Sequence, residues 1–125
     1  MKIGILPLAR ATFDVALAEE KLLQMLAALD RKSHQIFGPR NLLFDAEATT
    51  AAMQELKTQN IDHLLVLQVT FTDAALTIAA ASEFEQPMSI WAIREPRAGR
   101  RLRLNSFCGL NLASHALALR DRTFS

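Results

Sequence analysis

The chain has 125 residues, enough for one domain with a sizeable buried core, and residues 1–125 are read as a single such unit. Lys and Arg number 14 against 13 Asp and Glu, so a net charge of +1 excludes a global field for nucleic acid or an anionic membrane. Half the residues are hydrophobic but only 6% are aromatic, which suits Ala- and Leu-rich helices packed over a sheet and leaves few rings to stack on bases.

"MKIGILPLARA" imitates a signal peptide, but its apolar run is short and an acidic amphipathic segment follows at once. Lys2 to Leu8 therefore reads as a strand buried on both faces. From Asp14, a plausible N-cap, to about Asp30, apolar residues recur at helical spacing (Val15, Ala18, Leu22, Met25, Leu26, Leu29). "SHQIFGPR" is a weaker strand, ended by Gly38 and Pro39. A second helix starts at the N-cap candidate Asp45 and stops near Asn60. "HLLVLQVT" (His63 to Thr70) is another doubly buried strand, and "TDAALTIAAASEF" follows as a helix capped by Thr72 or Asp73. That helix is apolar around much of its circumference, which predicts contact with a surface beyond the sheet. "MSIWAI" (Met88 to Ile93) is the next strand. A loop carrying Arg94, Arg97, Arg100, Arg101 and Arg103, with no aromatic among them, reads as solvated. A short strand-like "RLRLN" and a helix from about Leu110 complete the chain, with Leu112, Ala116 and Leu119 expected against the sheet.

Repeated strand–helix alternation with short links calls for a three-layer α/β domain: a parallel sheet with helices on both faces, in flavodoxin-like order 2-1-3-4. The ligand crevice of such a sheet lies beyond the carboxyl ends of the strands where the winding reverses, between the first and third strands. "ARATFD" and "TFTD" would face each other there, making Arg10, Asp14, Thr72 and Asp73 first candidates for ligand contact. The three polar helix-flanking residues are equally credible as caps. Arg10 is not needed for a cap, and its guanidinium offers a fixed fork for hydroxyls or a carboxylate.

Several chemistries are missing. The loop after the first strand lacks the Ser, Thr and Gly of a flavin-phosphate site, Leu6 to Leu8 stand where a phosphoacceptor receiver needs acids, and neither GxGxxG nor a P-loop occurs. His34, His63 and His115 are dispersed with no ligand-spaced partner, so no metal site is expected in this chain. The single cysteine, Cys108, cannot form an internal disulfide, which points to a reducing, cytoplasmic compartment. It lies two helical turns from His115, so a buried structural role is expected. No run approaches the length of a membrane span.

With these residues in view, the chain resembles the N-terminal domain of the L-fucose/L-arabinose isomerase-like sugar isomerases. The resemblance rests on "KIGILPLARATFD", "HLLVLQVTFTDA", "PMSIWAIRE" and "RLRLNSFCGLNLASHAL", which cover nearly the whole chain in order. It implies a multidomain, oligomeric aldose–ketose isomerase using an enediol mechanism, with manganese or another divalent metal and the catalytic acids in a later domain. By that resemblance this domain contributes sugar contacts and subunit packing. Arg10 is the best-supported contact; Trp91 is a possible platform for a sugar, though a strand tryptophan also serves a core. Asn105 and Ser106 would form a polar rim, with Gly109 allowing close backbone approach, although an Asn or Ser cap predicts the same residues.

The chain stops at Ser125, before the family's metal-bearing domains. The expectation is a domain that binds a sugar or sugar derivative, self-associates or docks to a metal-bearing isomerase domain, and does not turn over alone. The alternatives are a non-catalytic interaction module and an independent binder of a nucleotide or flavin.

Overall fold

A computed structural model of the chain describes residues 1–72, 74–94 and 103–118. The elements run β1 (Lys2–Leu8), α1 (Val15–Asp30), β2 (Gln35–Phe37), α2 (Ala46–Lys57), β3 (His63–Gln68), α3 (Ala75–Glu83), β4 (Met88–Ala92) and α4 (Ser106–Ala118). All strand pairs are parallel and the sheet order is β2-β1-β3-β4, as the alternation predicts.

β1 is buried at every position after Lys2, which is what its unbroken apolar run anticipates for a central strand covered on both faces. On one face Leu6, Leu8, Leu64 and Val66 pack with Met53 and Leu56 of α2, Ala80 of α3 and Leu117 of α4. On the other, Ile3, Ile5, Leu67 and Val69 pack with Leu17, Leu22, Met25 and Leu26 of α1. Each fully buried aliphatic side chain contributes about 1.5–3 kcal/mol relative to exposure. Among the described residues three helices thus roof one face and one helix roofs the other. No helix among the described residues is long and apolar enough to cross a membrane.

Both aspartate caps form: Asp14 Oδ1 accepts from Leu17 N at 3.0 Å, and Asp45 Oδ1 from Ala48 N at 2.7 Å. Thr72 does not cap α3, which starts at Ala75 with Ala74 in the cap position. α4 begins at Ser106, a turn earlier than Leu110, after Asn105 adopts a left-handed φ of 53°. Its inward face is therefore Ser106, Gly109, Ala113 and Leu117, while Leu112 turns outward at 39% exposure. The side chains of Ala116 and Leu119, and the residues Arg97, Arg100 and Arg101, lie outside the described residues. Arg103 to Asn105 form no strand, because their carbonyls bond singly to two different loops.

Candidate functional site

At the carboxyl ends of β1 and β3 the chain departs to opposite faces of the sheet, and the two loops that leave these strands meet. Arg10 N donates to Thr70 Oγ1 at 2.8 Å, and the Arg10 guanidinium lies 5.2 Å from the centre of the Phe71 ring. Phe13 closes on Phe71 from the first loop, with ring centres 6.2 Å apart and planes inclined at 55°.

The α1 side of this junction is roofed by the chain itself. Arg103 O accepts from Asp14 N at 3.0 Å, and Leu104 O accepts from Phe71 N at 2.7 Å, so two consecutive carbonyls strap the loops together. The Leu104 side chain is fully buried in the α1 core. The Arg103 side chain adds a fork, Nε and Nη2 donating to Asp14 Oδ2 at 2.8 and 2.6 Å. The bond from Leu17 N, followed by those from Arg103, holds the Asp14 carboxyl below its ordinary pKa.

Beneath the strap Gln68, fully buried at the end of β3, organises the next layer. Its Nε2 donates to Thr70 O at 2.8 Å and to Thr72 Oγ1 at 3.0 Å. Ser106 Oγ donates to Gln68 O and accepts from Ile93 N at 2.9 Å, tying the start of α4 to the ends of β3 and β4. α4 comes this close because residue 109 is glycine: a Cβ there would stand 2.9 Å from Gln68 Nε2 and 3.1 Å from Phe71 Cα.

What stays open is a recess of about 200 Å³ on the α2–α3 side, with Arg10, Phe44, Asp45, Thr72, Ala75 and Leu76 in its wall. A larger depression of about 430 Å³ lies between the Phe37–Pro39 segment and α2, at the β2 edge and away from the winding reversal. Strand topology favours the smaller one as the ligand position.

Of the residues singled out from sequence, Arg10 and Thr72 come together in this wall. Asp14 is engaged as cap and ion-pair partner, and Ser106 is buried with its hydroxyl bonded to backbone on both sides. Asn105 supplies the carbonyl for the first turn of α4, accepting from Gly109 N at 3.3 Å. Trp91 sits on the α1 face of β4, opposite Leu67 in the register. Asp73 lies outside the described residues. Cys108 is exposed, not buried as expected, because α4 turns Gly109 toward the sheet in its place. Gln68, Phe44 and Phe71 were not singled out; one polar residue inside the apolar run "HLLVLQV" was the signal for Gln68.

Among the described residues no three His, Cys, Asp or Glu side chains converge as a metal site requires, so the donors present do not fit a divalent cation. A model of the fucose/sulfoquinovose isomerase N-terminal domain family matches residues 4–125. The chain belongs to that family. It is 31% identical over 119 residues to a sulfoquinovose isomerase of Priestia aryabhattai, covering 95% of this chain and 27% of that protein. The sulfoquinovose isomerase of Alkalicoccus urumqiensis is 31% identical over 120 residues (96% and 27%), and that of Clostridium sp. strain MSTE9 is 32% identical over 130 residues (99% and 28%). The chain thus spans about a quarter of the length of these relatives.

Proposed function

We propose that this domain supplies one wall of a sugar-binding site in an isomerase of the fucose/sulfoquinovose type, and that groups outside this chain complete the site. The observation that carries the reading is the recess beyond β1 and β3, with Arg10 in its wall. At about 200 Å³ it is smaller than the roughly 300–1,000 Å³ of whole ligand clefts, which suits a partial site. A guanidinium held over the Phe71 ring has the planar fork of N–H groups that suits sugar hydroxyls or an anionic substituent. Thr72, oriented by Gln68, offers a second polar contact. Proton transfer between adjacent carbons, and any divalent metal, belong to groups beyond these residues.

Arg10→Met is the test, with sulfoquinovose and L-fucose titrated separately and followed by ligand-observed NMR. Binding by the parent chain that is lost in the variant supports the reading; equal behaviour of the two proteins overturns it.

The alternative, a non-catalytic interaction module, draws on α4, which carries no Asp, Glu, Lys or Arg and exposes Phe107 and Leu112. Self-association unchanged by Arg10→Met, without sugar binding by either protein, would favour it.

A further inference from the structure

Gln68 is polar, fully buried and the last residue of β3. Its side chain meets two neighbours at once, Thr70 O at 2.8 Å and Thr72 Oγ1 at 3.0 Å. A carbonyl oxygen can only accept, so the end of the amide that faces Thr70 is its NH2 group. Both amide hydrogens are thereby used, one on each threonine. Gln68 Oε1 meets no partner among the described residues, so the side chain acts through its two N–H groups. α4 closes over this amide at Gly109, where even a Cβ would stand 2.9 Å from Nε2. The amide is held in one orientation.

That orientation decides what Thr72 can offer. A hydroxyl has one hydrogen and two lone pairs, and Gln68 takes one lone pair of Thr72. The Thr72 hydrogen therefore points away from Gln68, and no group among the described residues accepts it. Thr72 is only 5% exposed and lines the recess, so the recess is where that hydrogen finds an acceptor. The same amide reaches Arg10 by a second route. Gln68 holds the Thr70 carbonyl, and the Thr70 hydroxyl accepts from Arg10 N at 2.8 Å. A turned amide, with Oε1 toward Thr72, would draw the Thr72 hydrogen inward and leave only lone pairs for a ligand.

We infer that Gln68 is a positioning residue: it makes Thr72 a hydrogen-bond donor to the recess, so that this wall selects an oxygen acceptor on the ligand. The Arg10 guanidinium in the same wall also only donates. This rests on the sugar-binding reading above and adds a requirement to it. The ligand atom opposite Thr72 carries a lone pair, as a sulfonate, hydroxyl or ring oxygen does. An apolar substituent in that place leaves the buried hydroxyl hydrogen unsatisfied and is rejected.

Gln68→Glu keeps the shape and reverses the polarity. A neutral carboxyl donates its one hydrogen to Thr70 O and turns its other oxygen to Thr72, and an ionised one only accepts. In either state the Thr72 hydroxyl donates inward. The parent chain, Gln68→Glu, Thr72→Val and Thr72→Ser are titrated with sulfoquinovose and with L-fucose by ligand-observed NMR, with circular dichroism as the check on folding. Gln68→Glu and Thr72→Val should each bind about tenfold more weakly, and Thr72→Ser, which returns the hydroxyl, should recover most of that loss. Without ligand, both Gln68 side-chain amide protons of the parent should exchange slowly, and Thr72→Val should release one of them. A loss confined to sulfoquinovose places the sulfonate at Thr72; a loss shared by L-fucose places a hydroxyl or ring oxygen there. Full binding by Thr72→Val or by folded Gln68→Glu, with Arg10→Met still defective, overturns this inference and spares the sugar-binding reading. Absence of binding by the parent overturns both. Should Gln68→Glu not fold, the two Thr72 variants and the Gln68 amide protons decide.

Discussion

Asp14 and Arg103, separated by 89 residues, are joined at two levels: the Asp14 amide donates to the Arg103 carbonyl, and the Arg103 guanidinium grips the Asp14 carboxylate. The backbone bond fixes where the strap crosses the β1–α1 loop. The side-chain fork fixes its angle. With α1 capped by the same carboxylate, one residue holds a helix start and a distant loop in register.

This pairing predicts a pH dependence. The Asp14 carboxyl is held below its ordinary pKa when folded, so its contribution is fully present above the unfolded value of about 3.9. It is lost as pH falls through the lower folded value. Asp14→Asn keeps an amide oxygen for Leu17 N and removes the charge. The urea midpoint of the parent should decline more steeply than that of Asp14→Asn below about pH 4, and the difference should shrink in high salt because the pair is partly exposed.

Ser106→Ala removes the acceptor of the Ile93 amide and the donor to Gln68 O in a buried setting. An orphaned buried group of this kind costs about 1–3 kcal/mol. Urea denaturation should show a loss of that size, with faster exchange of the Ile93 amide as the local signature.

Gly109→Ala reverses the usual ranking of helix formers. Alanine in a helix interior gains up to about 1 kcal/mol over glycine. Here the added methyl meets the doubly bonded Gln68 amide and the Phe71 backbone, and overpacking of this kind costs about 1–3 kcal/mol. A lower melting temperature is expected. An increase would show that α4 can withdraw from β3 freely.

Thr77→Val should stabilise. Among the described residues the Thr77 hydroxyl oxygen, fully buried on α3, meets no hydrogen-bond partner, and replacing it with a methyl of similar size removes a desolvation cost of about 1 kcal/mol. The urea midpoint checks this. Gln68 Oε1 is also buried and meets no partner among the described residues, but Gln68 donates two hydrogen bonds, so Gln68→Met should destabilise instead.

The layer architecture was legible because β1 and β3 are uninterrupted apolar runs and because Asp14 and Asp45 sit where helix starts need an acceptor. Arg10 and Thr72 followed from strand order, since topology brings the first and third loops together whatever their composition. The strap did not follow. Its two backbone bonds run through the Arg103 and Leu104 carbonyls, which every residue possesses, so the letters carry no trace of those bonds. The inward face of α4 was misread for a related reason. Its one glycine packs against the sheet, and a search for Leu and Ala at helical spacing passes over it. Ser106 shows the same limit: its letter offered a cap or a rim, and only the ends of β3 and β4 reveal a buried tie.

The strap also sets an order of events during synthesis. Translation proceeds from the amino end at about 5–20 residues per second, and both loops of the crevice are made well before Leu104. While Leu104 is still inside the ribosome, the Asp14 and Phe71 amides lack their carbonyls and the α1 core lacks its last side chain. A nascent chain arrested before that point carries an unlatched crevice, however complete its first three strands are.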